Sequence, residues 1–218
     1  MGEERRPSRW RPSDGFAPGA WRCALLALAL AFPAALLSRS KRWARRWGLA
    51  GALLSAGALL FHRDPDRASP ESGILAPADG RVSVVREETH SSGDRVRVGV
   101  FMNVTDVHVN RAPLGGEVRA VEHEPGKHRP AFSKESDNNE KLRVRFADHE
   151  VTLIAGAFAR RIHPYVEPGE DLGRGERLGH VSFGSRADVL LPPGVEPSDV
   201  AVEHGQKVRA GKTKLAER

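Results

Sequence analysis

The chain has 218 residues, a formal net charge of +6 and a single cysteine, Cys23. Residues 1–63 contain eleven Lys or Arg and three Asp or Glu, whereas residues 64–218 contain 23 and 25. A near-neutral body argues against a nucleic-acid-binding domain, which would carry its own basic face, and one cysteine excludes an intramolecular disulfide framework. The basic N-terminal region suits the anionic surface of a membrane.

The N-terminal region contains two apolar runs behind a basic leader. Residues 1–20 are rich in Arg, Pro and Gly, and we predict that they are disordered. The runs, 23–37 and 48–61, are separated by a basic segment. Each has about 15 residues, roughly 22 Å as a helix against roughly 30 Å of hydrocarbon. Tryptophans stand at their ends, as in the interfacial belt of membrane proteins: Trp21, Trp43 and Trp47.

Three interpretations of this region compete. A signal peptide fits poorly, because the basic leader is long and no Ala-x-Ala site precedes the body cleanly. A buried hairpin of a soluble domain also fits poorly, since Leu and Ala cover all faces beside an Arg-rich loop. We therefore predict a membrane-associated helical hairpin over 21–63, spanning or re-entrant. It would place the protein at the cell membrane, with the body on the cytoplasmic side, although basic residues on both flanks leave the orientation open.

Residues 64–218 show short apolar runs broken by Gly, Pro and Asp. This pattern predicts a mainly β body, a sandwich or barrel rather than a parallel βα sheet. The best candidate for a helix is 156–162, and the turn fragments 77–82 and 205–211 are similar to those of biotinyl/lipoyl-like sandwiches. Strands are predicted near residues 73–76, 81–86, 95–102, 117–122, 142–146, 151–155, 178–183, 187–191 and 199–202.

Gly184 and Ser185 stand between two of these strands, which predicts a tight irregular point. A serine in a strained turn can attack the carbonyl of the preceding residue, and a glycine there leaves that carbonyl open and tolerates unusual φ/ψ angles. Cleavage would convert Ser185 into an N-terminal pyruvoyl group. Gly-Ser is also a common turn dipeptide, so the pair alone does not distinguish a turn from a cleavage site.

Several motifs accompany this pair in a fixed order. They are FHRDPDR (61–67), APADGRV (76–82), VFMNVTDVHVNRAP (100–113), PGK (125–127), NNE (138–140), IAGAFARRI (154–162), GERLGH (175–180) and FGSR (183–186). Each motif is weak by itself. Together they closely resemble the short-form phosphatidylserine decarboxylase proenzymes, a group that also includes archaetidylserine decarboxylases. The resemblance covers roughly residues 60 to 215, and the two apolar runs also suit the family.

The resemblance implies a pyruvoyl-dependent carboxy-lyase of phospholipid biosynthesis. Self-cleavage would give a β chain, 1–184, and an α chain, 185–218, joined as a heterodimer whose further oligomeric state stays open. The decarboxylase domain would be 64–218. The implied reaction converts phosphatidylserine of an anionic membrane to phosphatidylethanolamine and CO₂, through a Schiff base with the pyruvoyl group. Archaetidylserine or a related lipid headgroup is the alternative substrate, and no nucleic acid partner is expected.

Activation of Ser185 and loss of its α-proton both require a base. His108 is the candidate, because an imidazole takes and returns protons near neutral pH. In a strand through 106–110, alternation would place Asp106, His108 and Asn110 on one face. A structural histidine is the alternative, and the family resemblance favours the base.

The resemblance assigns Asp79 the task of orienting His108, which would give an Asp-His-Ser relay. Without the resemblance, Asp79-Gly80 is an ordinary turn pair. One departure from the family stands nearby: longer bacterial members carry a second histidine three residues after His108, where this chain has Arg111. Either His108 serves both self-cleavage and decarboxylation, or another histidine helps.

Three arginines are candidates for binding the phosphate or carboxylate of the substrate, since guanidinium forks suit both groups. They are Arg160, Arg161 and Arg111, and the alternative for each is a solvated or structural charge. The remaining histidines are scattered without ligand spacing, so no metal site is predicted.

Two other classes of function compete with the enzyme. A membrane-tethered biotinyl/lipoyl-like binding module would need a carrier lysine at a hairpin tip, and no lysine sits in a convincing one. An inactive homologue that only scaffolds other proteins is the second, which the retained Gly184-Ser185 pair argues against. Neither predicts a chain break before Ser185.

Overall fold

The computed structural model describes residues 15–90, 93–131, 134–157, 162–182 and 184–217. These residues belong to two compact units, one within Pro12–Pro65 and the other over Asp66–Arg218. The first is helical and the second is mainly β. Most of the predicted leader, residues 1–14, lies outside the described residues.

The helical unit consists of α1 (Ala20–Leu36) and α2 (Lys41–Phe61). Both segments are rich in Leu and Ala, which are strong helix formers. Small residues let the two helices approach closely, since a Cβ on Gly51 of α2 would collide with the Ala31 side chain of α1. Ala and Gly therefore occupy the contact between the helices, and larger side chains point away from it.

The leucines of this unit lie on its outer faces. Leu30 of α1 is 77% exposed and Leu53 of α2 is 64% exposed, whereas Ser55 at the helix contact is buried. The Ser55 Oγ donates a hydrogen bond to the Ala24 carbonyl at 2.5 Å. Among the described residues, neither helix combines the length and the apolar character needed to cross a membrane.

Short strands make up most of the second unit, together with two 3₁₀ helices, Lys134–Asn138 and Pro197–Asp199. The strands are β1 (Ile74–Leu75), β2 (Gly80–His90), β3 (Gly93–Phe101), β4 (Val109–Arg111), β5 (Gly116–Glu117), β6 (Ala120–Glu124), β7 (Lys141–Arg145), β8 (Glu150–Ile154), β9 (Ile162–Pro164), β10 (Asp171–Leu172), β11 (Arg177–Val181), β12 (Arg186–Leu190), β13 (Lys207–Val208) and β14 (Lys214–Ala216).

The largest sheet has seven antiparallel strands in the order β13-β2-β3-β12-β8-β7-β6. A three-stranded sheet has the order β4-β11-β9, and β1-β14 and β10-β5 form two-stranded sheets. The body is mainly β, as predicted, but each of these sheets is open, so none closes into a barrel. The similarity of its hairpins to biotinyl/lipoyl-like sandwiches stays a prediction.

Strand β12 lies at the centre of the largest sheet, and all five of its residues are buried. Alternation along the strand divides it between two environments. One face joins the apolar core, in which fully buried side chains contribute about 1.5–3 kcal/mol each: Val98, Val100, Val151, Leu153 and Val189. The other face carries Arg186 and Asp188, a buried charged pair.

The predicted secondary structure differs from the observed one in the short elements. The strand predicted near 199–202 is wrong, because a 3₁₀ helix precedes Val200, which makes only an isolated bridge to Ala216. The helix predicted at 156–162 lies mostly outside the described residues, and its described positions, 156, 157 and 162, are not helical. Strands β9, β10, β13 and β14 were not predicted, since two or three residues carry too little alternation to be recognised.

Candidate active site

The Gly184-Ser185 step lies in the short connection between β11 and β12, as the sequence pattern predicts. Gly184 has a φ of 65°, in the left-handed region that favours glycine. Ser185 is completely buried, and its Oγ has no hydrogen-bond partner within the described part of the chain. A buried hydroxyl without a partner costs about 1–3 kcal/mol, which suggests a group retained for chemistry rather than for stability.

The main chain on the carbonyl side of Ser185 is held by hydrogen bonds and strand pairing. The Met102 N–H donates to the Ser185 carbonyl at 2.9 Å. The next residue, Arg186, pairs with Phe101 of β3 on one side and with Ile154 of β8 on the other. The main chain at Ser185 is therefore fixed by the central sheet. Met102 was missed by sequence reasoning, because its contact depends on strand register rather than on its own chemistry.

His108 is buried in the turn that precedes β4. The strand predicted through 106–110 begins only at Val109, so His108 lies outside it. Its Nδ1 is 2.9 Å from the Asp106 carbonyl oxygen, which in a neutral ring places the proton on Nδ1 and the lone pair on Nε2. The His108 carbonyl accepts a hydrogen bond from the Val181 N–H at 3.4 Å. This bond joins the turn to the end of β11, the strand that leads to Gly184.

Within the described part of the chain, the contacts of the Asp79 carboxylate are with Arg67 and Ala210 rather than with His108. Its carboxylate forms a forked ion pair with Arg67, with N–O distances of 2.5 and 2.9 Å, and accepts the Ala210 N–H at 2.8 Å. The predicted role of Asp79 in orienting His108 stays a prediction, and the described contact at His108 Nδ1 is with the Asp106 carbonyl.

Asp79 is connected to the site through the main chain instead. The next residue, Gly80, has a φ of 148°, and a Cβ there would lie 2.8 Å from the Phe101 carbonyl carbon. Gly80 thus packs on the peptide that leads into Met102, the residue that holds the Ser185 carbonyl. By fixing this turn, Asp79 supports the backbone beneath Ser185.

Of the three candidate substrate-binding arginines, Arg111 lies within the described residues. Arg111 is 4% exposed, and its Nη1 donates to the Gly175 carbonyl at 2.9 Å. This contact joins Arg111 to the 173–176 turn, and its role in substrate binding stays a prediction. Arg160 and Arg161 lie outside the described residues.

Arg186 anchors the chain immediately after Ser185, a role that sequence reasoning missed. Its guanidinium donates to both carboxylate oxygens of Asp188 at 2.7 and 2.9 Å, to Asp137 at 2.6 Å and to Ser136 at 2.8 Å. Burial raises the pKa of the Asp188 carboxyl, although the charge of Arg186 opposes that shift. For Asp137, burial also acts to raise the pKa, but hydrogen bonds and charges from Arg186 and Arg86 outweigh it and lower the pKa.

Known proteins match most of this chain. The family model for phosphatidylserine decarboxylase matches residues 54–216. A protein of Halobacterium salinarum named as an archaetidylserine decarboxylase proenzyme is 64% identical over 78% of this chain and 85% of its own. Phosphatidylserine decarboxylase proenzymes of Thermobifida fusca and Streptomyces griseus are 47% and 46% identical, over 84% and 81% of this chain and 83% and 81% of theirs.

The chain belongs to the phosphatidylserine decarboxylase family. The family and the enzyme class predicted from the motifs, a decarboxylase, are thereby confirmed. The matched residues include the whole β body and the end of α2.

Proposed function

We propose that the chain is a proenzyme that cuts itself between Gly184 and Ser185 and then decarboxylates a serine phospholipid. The products are the corresponding ethanolamine phospholipid and CO₂, which makes the reaction a step of phospholipid synthesis. One observation carries the proposal: Ser185 Oγ is buried without a partner in the described chain, directly after a glycine with a φ of 65°.

Self-cleavage follows from the chemistry of this step. Ser185 Oγ attacks the Gly184 carbonyl carbon, and its proton passes to a base, for which we propose Nε2 of His108. The C–N bond between Gly184 and Ser185 breaks, and the proton reaches the departing nitrogen, which leaves an ester. Removal of the Ser185 α-proton then expels Gly184 as a carboxylate. The remaining enamine tautomerises, takes up water and releases ammonia, which leaves a pyruvoyl group.

The residues around position 185 fit such a group. The Oγ that departs is the atom without a partner, and the carbonyl that remains is the one held by the Met102 N–H at 2.9 Å. When present, a pyruvoyl group supplies an electron-withdrawing carbonyl to an α-amino acid that loses CO₂. The Met102 N–H favours negative charge on the carbonyl oxygen that it binds, and we propose that Nε2 of His108 returns the proton that replaces CO₂.

The sheet topology supports a stable complex of the two product chains. All three strands of the proposed α chain, 185–218, pair with strands of the proposed β chain, 1–184. Strand β12 lies between β3 and β8, β13 pairs with β2, and β14 pairs with β1. Cleavage at one connection leaves these hydrogen bonds and the shared core in place, so the chains remain a heterodimer.

The helical unit supports an association with lipid. Its exposed faces are apolar, its helices meet through small residues as they do in bilayers, and residues 39–46 include five Lys or Arg. We propose that this unit inserts into an anionic bilayer surface, with the body on the cytoplasmic side. On the family resemblance, we also propose that Arg160 and Arg161 bind the phosphate or carboxylate of the lipid.

Two lipid tails are candidates. The relative that is 64% identical is named for archaetidylserine, whereas those at 47% and 46% are named for phosphatidylserine. The shared chemistry is the serine phosphate headgroup, which the body would recognise in either lipid.

Vesicles of each lipid test this function. Purified full-length protein is mixed with diacyl phosphatidylserine or with archaetidylserine, and CO₂ and the ethanolamine lipid are measured. We expect the wild-type protein to release CO₂ from one or both lipids and Ser185→Ala to release none. The proposal would be overturned if a fully cut enzyme released CO₂ from neither lipid, or if Ser185→Ala kept its full activity.

A further inference from the structure

Gly156 faces the peptide that is to be cleaved. Strands β8 and β12 are antiparallel, and Ile154 pairs with Arg186. Continuing this register by two residues places Gly156 opposite Gly184, just beyond the end of the paired strands. The motif that contains Gly156 thus meets the cleavage motif at the end of the central sheet.

The two glycines approach more closely than any side chain would permit. A Cβ added to Gly156 would lie 2.7 Å from the Gly184 carbonyl carbon and closer still to its oxygen. Carbon atoms in proteins do not approach a backbone carbonyl to this distance, so one of the two segments would have to move. The obstructed group is the carbonyl that Ser185 Oγ must attack.

The segment that carries Gly156 has little freedom to move away. The Ala155 N–H donates to the Glu140 carbonyl at 2.9 Å, and the Ala155 carbonyl accepts from Nδ2 of Asn139 at 2.8 Å. The buried Asn139 amide also exchanges hydrogen bonds with the Arg129 backbone at 2.7 and 2.9 Å. Ala155 itself is completely buried. A side chain at 156 would therefore displace the Gly184 carbonyl rather than its own segment.

We propose that Gly156 is a positioning residue for self-cleavage, with Asn139 as its brace. Because Gly156 has no side chain, the Gly184 carbonyl can rest against the 155–156 backbone, and this contact holds the carbonyl carbon for attack by Ser185 Oγ. The inference rests on the proposed cleavage between Gly184 and Ser185. A displacement of about 1 Å from a reactive geometry costs on the order of 100-fold in rate, so Gly156→Ala should cut at least about that much more slowly.

The test follows the appearance of the two fragments by denaturing mass spectrometry after synthesis of the full chain in a cell-free system. Gly156→Ala is compared with the wild type and with Gly115→Ala, whose added Cβ would also approach a backbone carbonyl, that of Leu172, at 3.1 Å. Folding is measured separately in the Ser185→Ala background, where every variant stays uncut. Hydroxylamine, which cleaves esters, reports whether the ester between Gly184 and Ser185 forms.

We expect Gly156→Ala to fold, to cut at least about 100-fold more slowly than the wild type and to form the hydroxylamine-sensitive ester equally slowly, whereas Gly115→Ala cuts like the wild type. An ester that forms normally, or cleavage at a rate close to that of the wild type, would overturn the role of Gly156. If Gly156→Ala does not fold, Asn139→Ala removes the brace without adding an atom beside Gly184. Slower cleavage by folded Asn139→Ala is then expected, and an unchanged rate contradicts the inference.

These outcomes separate the inference from the proposed function. If the wild-type chain is never cut, the proposed function fails and this inference fails with it. If the wild type is cut and Gly156→Ala is cut equally fast, only the role of Gly156 is wrong.

Discussion

At the scale of single residues, the site depends on which nitrogen of His108 holds the proton. The Asp106 carbonyl lies 2.9 Å from Nδ1, so in the neutral ring Nε2 carries the lone pair that a base requires. The ring of the proposed base is therefore oriented by the backbone of its own turn, whereas the described contacts of the Asp79 carboxylate are with Arg67 and Ala210.

Replacement of the proposed base, His108, gives a prediction about self-cleavage. We expect His108→Gln to slow self-cleavage by about 100-fold or more, because general bases contribute rate factors of this order. The rate of fragment appearance after cell-free synthesis measures it. His123→Gln is the matched control. His123 lies on β6, at the edge of the largest sheet, where its exposed side chain has Nε2 2.8 Å from Glu140 Oε1. Unchanged cleavage in His108→Gln would assign the base to another residue.

The carboxylates around Arg186 give a prediction about pH. Because the pKa of Asp137 is lowered in the folded chain, its charge stabilises the fold above the unfolded pKa of about 3.9. That stabilisation is lost as the pH falls through the lower folded pKa. Asp137→Asn should therefore cost about 0.5–1 kcal/mol at pH 7, a small value because the side chain is 40% exposed.

Urea unfolding of Asp137→Asn in the uncut Ser185→Ala background measures this difference at pH 7 and again near pH 3. The two free energies of unfolding should converge at the lower pH, since protonation of Asp137 removes the same charge. Asp171→Asn, at an exposed position on a different sheet, is the matched control. A deficit for Asp137→Asn that persists unchanged at low pH would refute the assigned role of this charge.

At the scale of elements, the turn before β2 and the loop before β14 are held together by Asp79. The Asp79 carboxylate accepts hydrogen bonds from Arg67 and from the Ala210 N–H. The neighbouring Gly80 packs on the Phe101 carbonyl. The turn therefore acts on Ser185 through main-chain contacts, and a defect there should appear first as lost stability.

This arrangement predicts the behaviour of Asp79→Asn. The variant should lower the free energy of unfolding by about 1–3 kcal/mol, because it leaves Arg67, whose side chain is only 8% exposed, without its charge partner. The folded protein should still cut itself within about tenfold of the wild-type rate. If Asp79 orients the base directly, as in serine proteases, the loss would instead approach about 10⁴-fold, and the cleavage rate of folded Asp79→Asn distinguishes the two.

At the scale of the whole molecule, the chain combines an apolar helical unit with a near-neutral β body. The substrate implied by the family lies in a membrane, and exposed leucines on the helices offer the apolar surface that lipid would cover. We expect Leu30→Glu combined with Leu53→Glu to abolish flotation with anionic vesicles while self-cleavage continues. Val104→Glu, at an exposed apolar position of the body, is the control, and undiminished flotation of the double variant would exclude the helices as the lipid contact.

The sequence was most informative where chemistry and pattern coincide. The strands on both sides of Gly184-Ser185 could be predicted, because apolar runs end at a glycine whose left-handed φ the structure reproduces. The open sheets and the short strands could not, since they depend on pairing between distant segments. For the same reason the contacts of Met102 and Gly156 with the proposed cleavage site were not predictable: both arise from the register of β12 with its neighbours.

The intact mass of the purified full-length protein tests the central claim most directly. Under denaturing conditions we predict two fragments that break before position 185, with the smaller one blocked by a pyruvoyl group, and under native conditions a single complex. Ser185→Ala should remain one chain of 23.8 kDa. A wild-type protein that decarboxylates its lipid while remaining a single chain of that mass would contradict the account.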